Sequence, residues 1–191
     1  MTKFRLLMCV TLLIAAVSTL PACSKSSDNG KSTATASPNS AANAKKQAEE
    51  IAAALLHDDY ATMIRLTHPG VVERAGGADK MKEAVVKGKQ ELARVGVSFK
   101  DVKIGTPGEP TVGGPKVFII VPQTVTLATP KGQLVQDSFL LGSSKDNGAT
   151  WQFVDGAGLN DQTAHQLFPN LPATIHLPAK SPPRMQPAGG T

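Results

Sequence analysis

Cysteine is almost missing from this chain: 191 residues hold only Cys9 and Cys23. Two thiols cannot build a disulfide framework or a four-cysteine zinc site. Aromatic residues are equally scarce at 4%, with one Trp and one Tyr, so the stacking platforms of a nucleic-acid binder are wanting. The four histidines, His57, His68, His165 and His176, share no ligand spacing, and no His-Glu-x-x-His occurs. Gly76-Gly77 and Gly113-Gly114 lack the Lys-Ser/Thr that completes a phosphate loop, and there is no Gly-x-Ser-x-Gly elbow. No metal, no cofactor and no nucleic-acid partner is expected. Acidic residues are absent before Cys23, where Lys3 and Arg5 stand. Without those two, the formal charge of +5 falls to 18 basic against 15 acidic residues, or +3.

Of what is there, the N-terminus speaks first. Met1 to Arg5 is short and basic, Leu6 to Leu20 is apolar and uncharged, and Ala22 precedes Cys23, the plan of a secretory signal peptide. Its 15 apolar residues fall short of the ~20 that a membrane-spanning helix needs. Residues 1–22 therefore read as a cleaved leader. Leu20-Pro21-Ala22-Cys23 resembles the lipobox of bacterial lipoproteins, with Pro21 an unusual occupant of its position. That resemblance implies a diacylglycerol on the Cys23 sulfur, cleavage before it and acylation of the new amine. Each buried methylene contributes about 0.8 kcal/mol, so two or three chains hold a protein durably. By the same resemblance Ser24, where an Asp would favour retention, implies the periplasmic face of the outer membrane.

Residues 23–42 contain no Leu, Ile, Val or aromatic residue, as expected of a flexible tether behind the lipidated cysteine. Nineteen such residues span ~24 Å on average, enough to hold a domain clear of the headgroups. Residues 178–191, with Pro178, Pro182, Pro183 and Pro187, read as a disordered Pro-rich tail. Residues 43–177 remain for one domain.

Within it, Ala44, Ala48, Ile51, Ala52 and Leu55 follow 3-4 spacing and predict a helix over Asn43 to His57. Asp58 or Asp59 can cap a second helix carrying Met63, Ile64 and Leu66, ended by Pro69-Gly70. A third begins near Asp79 with a stripe of Met81, Val85, Leu92 and Val95 and stops at Gly96. Four strands follow, at Val97 to Ile104, Lys116 to Thr129, Leu134 to Ser143 and Thr150 to Val154. Pro122 demands an edge or a bulge in the second. Pro130-Lys131-Gly132 and Asp146-Asn147-Gly148 supply the turns, and a short helix runs from Asn160 to Leu167. Helices first and an antiparallel meander second define an α+β domain, N-terminal helices packed on a curved, mostly antiparallel four-stranded sheet.

That order resembles the cone-shaped NTF2-like (cystatin-like) α+β superfamily. The segments from Asp58-Asp59-Tyr60 to Thr67-His68-Pro69-Gly70, and from Trp151-Gln152-Phe153 to Phe168-Pro169-Asn170, are similar to stretches of uncharacterised exported bacterial proteins. The superfamily holds isomerases, dehydratases, transport factors and domains without activity, so the resemblance implies a scaffold and not a reaction. Its enzymes place an Asp, His or Tyr inside the cone, which makes Tyr60 and His68 the pocket candidates, beside His57, Asp58 and Asp59. No catalytic dyad is evident. Ser144-Lys145-Asp146-Asn147-Gly148-Ala149-Thr150-Trp151 resembles an Asp-box hairpin of propeller proteins. One copy cannot make a propeller, so it reads as a local folding element. The basic residues between Lys80 and Lys103 read as a solvated face, interrupted by Glu83, Glu91 and Asp101.

The expectation is a non-enzymatic, membrane-anchored envelope lipoprotein that binds a small apolar ligand or an envelope protein. The alternatives are a small isomerase, dehydratase or hydrolase working in the cone, and a structural or assembly role. Cys23→Ser is expected to abolish palmitate labelling and to release the protein from membranes. A variant that still takes up radioactive palmitate and still sediments with membranes sinks the anchor.

Overall fold

The computed structural model describes residues 35–187. The leader and Cys23 lie outside the described residues, as do most of the tether and residues 188–191. The elements are helices α1 (Ser40–Leu56), α2 (Tyr60–Leu66), α3 (Pro69–Arg74) and α4 (Ala78–Arg94), strands β1 (Ser98–Ile104), β2 (Thr111–Gly113), β3 (Lys116–Thr129), β4 (Gly132–Ser144) and β5 (Gln152–Asp155), a 3-10 turn Gly156–Gly158, helix α5 (Asp161–Leu167) and strand β6 (Arg184–Gln186). Helices precede a curved, open, antiparallel sheet, the expected α+β class. Among the described residues no helix is long and apolar enough to cross a membrane.

The sheet is built on one long hairpin. β3 and β4 pair without a register shift from Val117↔Ser144 to Thr129↔Gly132, with Pro130 and Lys131 making the turn. The four expected strands form the path β1-β3-β4-β5, and two three-residue strands join it. Along the free edge of β3, β1 covers Gln123 to Ala128 and β2 covers Lys116 to Phe118. Pro122 falls in the gap, beside the end of β1, where Gly105 N–H donates to its carbonyl at 2.8 Å. The missing proline N–H thus costs no ladder bond inside a paired stretch.

The edge of β4 is divided in the same way. β5 covers Leu140 to Ser143, and β6 covers Gln133 to Val135. Here the expectation of a loose tail over 178–191 is corrected for its middle. Pro182-Pro183 deliver an extended backbone to an unpaired strand edge, and the Arg184 guanidinium donates to the Asp137 carboxylate at 2.7 Å. At the other end, α1 starts at Ser40, not Asn43, and Ser37 N–H donates to the Asn147 carbonyl at 2.8 Å, so the last residues assigned to the tether belong to the domain.

The helical expectations hold with one addition. Asp59 caps α2, accepting from Thr62 N–H at 3.1 Å, while Asp58 makes the corner with φ 59°. Pro69-Gly70 does not only follow α2. Proline at N1 opens a further helix, α3, because its fixed φ suits a first turn and its missing N–H would have had no partner there. The Met81 helix is therefore the fourth. Val95, read into its apolar stripe, is its C-cap and is 64% exposed.

Both faces of the hairpin are covered. Val117 to Val121 is apolar without a break, the pattern of a strand buried on two sides. One side packs Val117, Ile119 and Val121 with Trp151, Phe153 and the small faces Ala44 and Ala48 of α1. The other packs Phe118, Phe139 and Leu141 with Leu159, Phe168 and Leu171 from the α5 region. Each such fully buried large side chain contributes ~1.5–3 kcal/mol.

The Asp-box sequence forms the corner that fastens α1 to the sheet. Asp146 accepts from Ser144 Oγ at 2.7 Å, Thr150 N–H at 2.8 Å and Thr150 Oγ1 at 2.6 Å, and Trp151 Nε1 donates to the Gly148 carbonyl at 3.1 Å. Burial pushes the Asp146 carboxyl up, but the bonds from Thr150 and Ser144 outweigh it and hold the carboxyl below its usual range. Gly148, at φ 90°, lies directly on buried Ser40, where a Cβ would collide. Asn43 and Gln47 of α1 donate to the Gly148 and Ala149 carbonyls. Asp146→Ala is expected to lower the unfolding free energy by about 1–3 kcal/mol in denaturant titrations, with Asp146→Asn intermediate. An unchanged midpoint would show the corner to be dispensable.

Candidate functional site

Helix α4 buries none of its residues over its whole length from Ala78 to Arg94, unlike α1, the other long helix. Its apolar side chains Met81, Val85 and Leu92 recur on one face, yet they meet open volume instead of a packed partner. Gly76 and Gly77 before it and Gly96 after it take φ of 89°, 99° and 73°, turning the chain sharply out of and back to the body. Between α4 and the sheet lies a cavity of about 540 Å³. That size is within the range of small-molecule sites. Its walls are Ile51, Ala52 and Leu55 of α1, Met63, Val71, the α4 stripe, Phe99 and Val102 of β1, Val125, Leu140 and Phe153.

Four polar side chains reach these walls: Thr67, Lys89, Gln123 and Asp155. Three are committed elsewhere. Thr67 Oγ1 donates to the Met63 carbonyl at 2.8 Å, and Asp155 accepts from Ala157 N–H at 2.7 Å to cap the 3-10 turn. Lys89 donates to the Leu55 carbonyl at 2.9 Å and pairs with the Asp58 carboxylate. Gln123 alone makes no side-chain hydrogen bond among the described residues, although it is 7% exposed. Its amide keeps contact with the cavity volume, since the fully buried side-chain polar atom left without a partner among the described residues is Ser40 Oγ.

Neither expected pocket residue lines this cavity. Tyr60 stands on the outer side of α4, in a groove with Leu56, Val86 and Phe99. Its hydroxyl donates to Asp58 Oδ1 at 2.8 Å. The Lys89 ammonium first, then the Tyr60 hydroxyl, hold the Asp58 carboxyl below its usual range, and Asp58 in turn pushes the Tyr60 phenol up. A phenol shifted that way stays protonated at neutral pH, so the trio clips the α1–α2 corner to α4 and supplies no base. His57 shares no hydrogen bond with it.

His68 belongs to the joint between α2 and α3. Its backbone N–H donates to the Phe153 carbonyl at 2.8 Å, and its ring Nδ1 accepts from Gly70 N–H at 3.2 Å, capping α3. The ring packs edge-on to Phe168, with centroids 4.5 Å apart, and does not line the cavity. Among the described residues no carboxylate pairs with it. Burial first, then the charges of Lys116, Lys145 and Arg74, push its pKa down to about 4. Among the described residues no three His, Cys, Asp or Glu side chains are grouped to hold a metal ion.

The sequence reading missed Gln123, and it gave Met81, Val85 and Leu92 as the apolar stripe of a helix without the cavity they face. A signal for Gln123 was present. Val117, Ile119, Val121, Gln123 and Val125 share one face of β3 by alternation, and Gln123 is the only polar residue in that row. No protein-family model, no curated protein and no solved structure matches the chain. What the domain defines is an α+β scaffold with an apolar cavity under a helix that buries none of its own residues fully.

Because folded His68 binds its proton only near pH 4 and the unfolded chain already near 6.5, acid favours unfolding. Stability is expected to fall by about 1–3 kcal/mol as pH drops through that window, with the loss complete below the lower value. His68→Leu should remove this part of the slope in denaturant titrations at several pH values. A slope unchanged in the variant would assign the acid sensitivity to the carboxylates.

Proposed function

We propose that this protein is a non-enzymatic binding module for a small apolar ligand, held at the cell envelope by a lipid on Cys23. The observation that carries the binding reading is the cavity of about 540 Å³ walled by apolar side chains of α1, α4 and the sheet. A void of that size, left dry, forfeits the dispersion contacts its walls would otherwise make. An apolar guest restores them. The position of α4 supports reversible access, since its apolar side chains are half-buried and none is fully buried.

The anchor reading is supported by the basic start, the apolar run and Leu20-Pro21-Ala22-Cys23. The NTF2-like reading is supported by the order of helices and antiparallel strands. Tyr60 and His68 lie outside the cavity, and among the described residues no uncommitted acid–base pair faces it, so binding without turnover is the function it suits best.

Filling the cavity tests this. Val85→Trp projects an indole from a half-buried position on α4 into the space. The full chain is expected to take up the hydrocarbon dye diphenylhexatriene with a rise in fluorescence, and the variant to bind it at least tenfold more weakly while its thermal midpoint moves little. Equal uptake by both proteins would place the dye elsewhere and remove the reading.

A further inference from the structure

We infer that Gln123 is the residue that selects the ligand, and that the ligand is an uncharged amphiphile: an apolar chain bearing one hydrogen-bonding oxygen, as in an alcohol or an ester. This rests on the cavity being a ligand site and names the chemistry of its occupant. Gln123 is paired through its backbone with Ile104 on one side and Ser138 on the other, so its place in the sheet is fixed. Its side chain leaves the row formed by Val117, Ile119 and Val121, which are 0–1% exposed, and reaches the cavity wall with its amide unpartnered among the described residues. A leucine would satisfy the packing of that row better. The polar group is available to whatever fills the cavity, and a guest that displaces water there must replace its hydrogen bond.

The other walls narrow the choice of head group. A primary amide offers both a donor and an acceptor without charge. Among the described residues the one cation at the wall, Lys89, is already balanced by Asp58 and bonded to the Leu55 carbonyl. A carboxylate would have to give up its hydration against a neutral amide, which disfavours an ionised fatty acid. A neutral oxygen gives up less and gains the Gln123 N–H. The α4 stripe and Phe99 opposite then sheathe the chain.

The test is competition against diphenylhexatriene on the full chain, with decanol, methyl decanoate and decanoate as probes of matched chain length at about pH 8, where the acid is ionised. Decanol and methyl decanoate are expected to displace the dye with at least tenfold lower midpoints than decanoate. Gln123→Leu should weaken decanol and the ester by about two- to tenfold, the worth of one hydrogen bond, while tightening the dye and leaving the thermal midpoint no lower than in the parent. Alcohol and ester midpoints that do not move in a variant still taking up the dye would overturn the inference and leave the cavity reading standing. Decanoate as the tightest probe, lost on Lys89→Met, would also overturn it by making the ammonium the anchor. Failure of the parent chain to take up the dye removes the cavity reading itself.

Discussion

Everything in this domain is hung on the β3–β4 hairpin. Its thirteen consecutive pairs, from Val117↔Ser144 to Thr129↔Gly132, make it longer than any other strand pairing in the sheet, and each of its outer edges is shared by two short strands. At the Ser144 end it is sandwiched between α1 and the α5 region, so both faces are apolar. Toward the turn the outward face becomes polar, with Thr124 bonded to Asp137 at 2.9 Å, and the inward face looks into the cavity. One continuous piece of sheet thereby serves as core at one end and binding wall at the other.

The cavity follows from how the helices are fastened to that hairpin. The Asp146 turn grips the start of α1, where Ala44 and Ala48 let the helix backbone approach the sheet closely. Larger residues, Ile51 and Leu55, follow as α1 leaves the corner. α4 reaches the body through glycine turns and the Lys89–Asp58–Tyr60 clip, an exposed set of contacts worth little in packing. A domain tightly tied at one end and loosely covered at the other encloses space where the two regimes meet. Such a cover is also the part of a fold that opens at least cost.

Much of this was legible along the chain. Helices before strands, the limits of β3, the Pro130-Lys131 turn, the capping role of Asp59 and the single Asp-box hairpin are all local patterns, and local patterns report local structure. The errors have local causes too. Pro69 reads equally well as the end of one helix or the first residue of the next, since both tolerate a residue without an N–H. The Pro-rich C-terminal segment offers nothing to bury, and its strand β6 exists because β5 leaves part of the β4 edge unpaired, a fact about another element. Tyr60 and His68 were chosen for their chemistry, but their bonds to Asp58 and Gly70 turn them to capping and clipping.

By itself the sequence determined the element types, the order that makes the domain α+β, and which side chains form the apolar rows, because period and turn chemistry act over a few residues. Only the tertiary structure decided which rows meet. The Met81, Val85 and Leu92 stripe is the same pattern whether it packs on a sheet or stands off it, and a hydrophobic stripe carries no information about the distance to its partner. That distance is set by glycine turns, small alanine faces and a hairpin more than a hundred residues away in some of its bonds. It is what converts a core position into the wall of a cavity, and one glutamine in a row of valines into its polar contact.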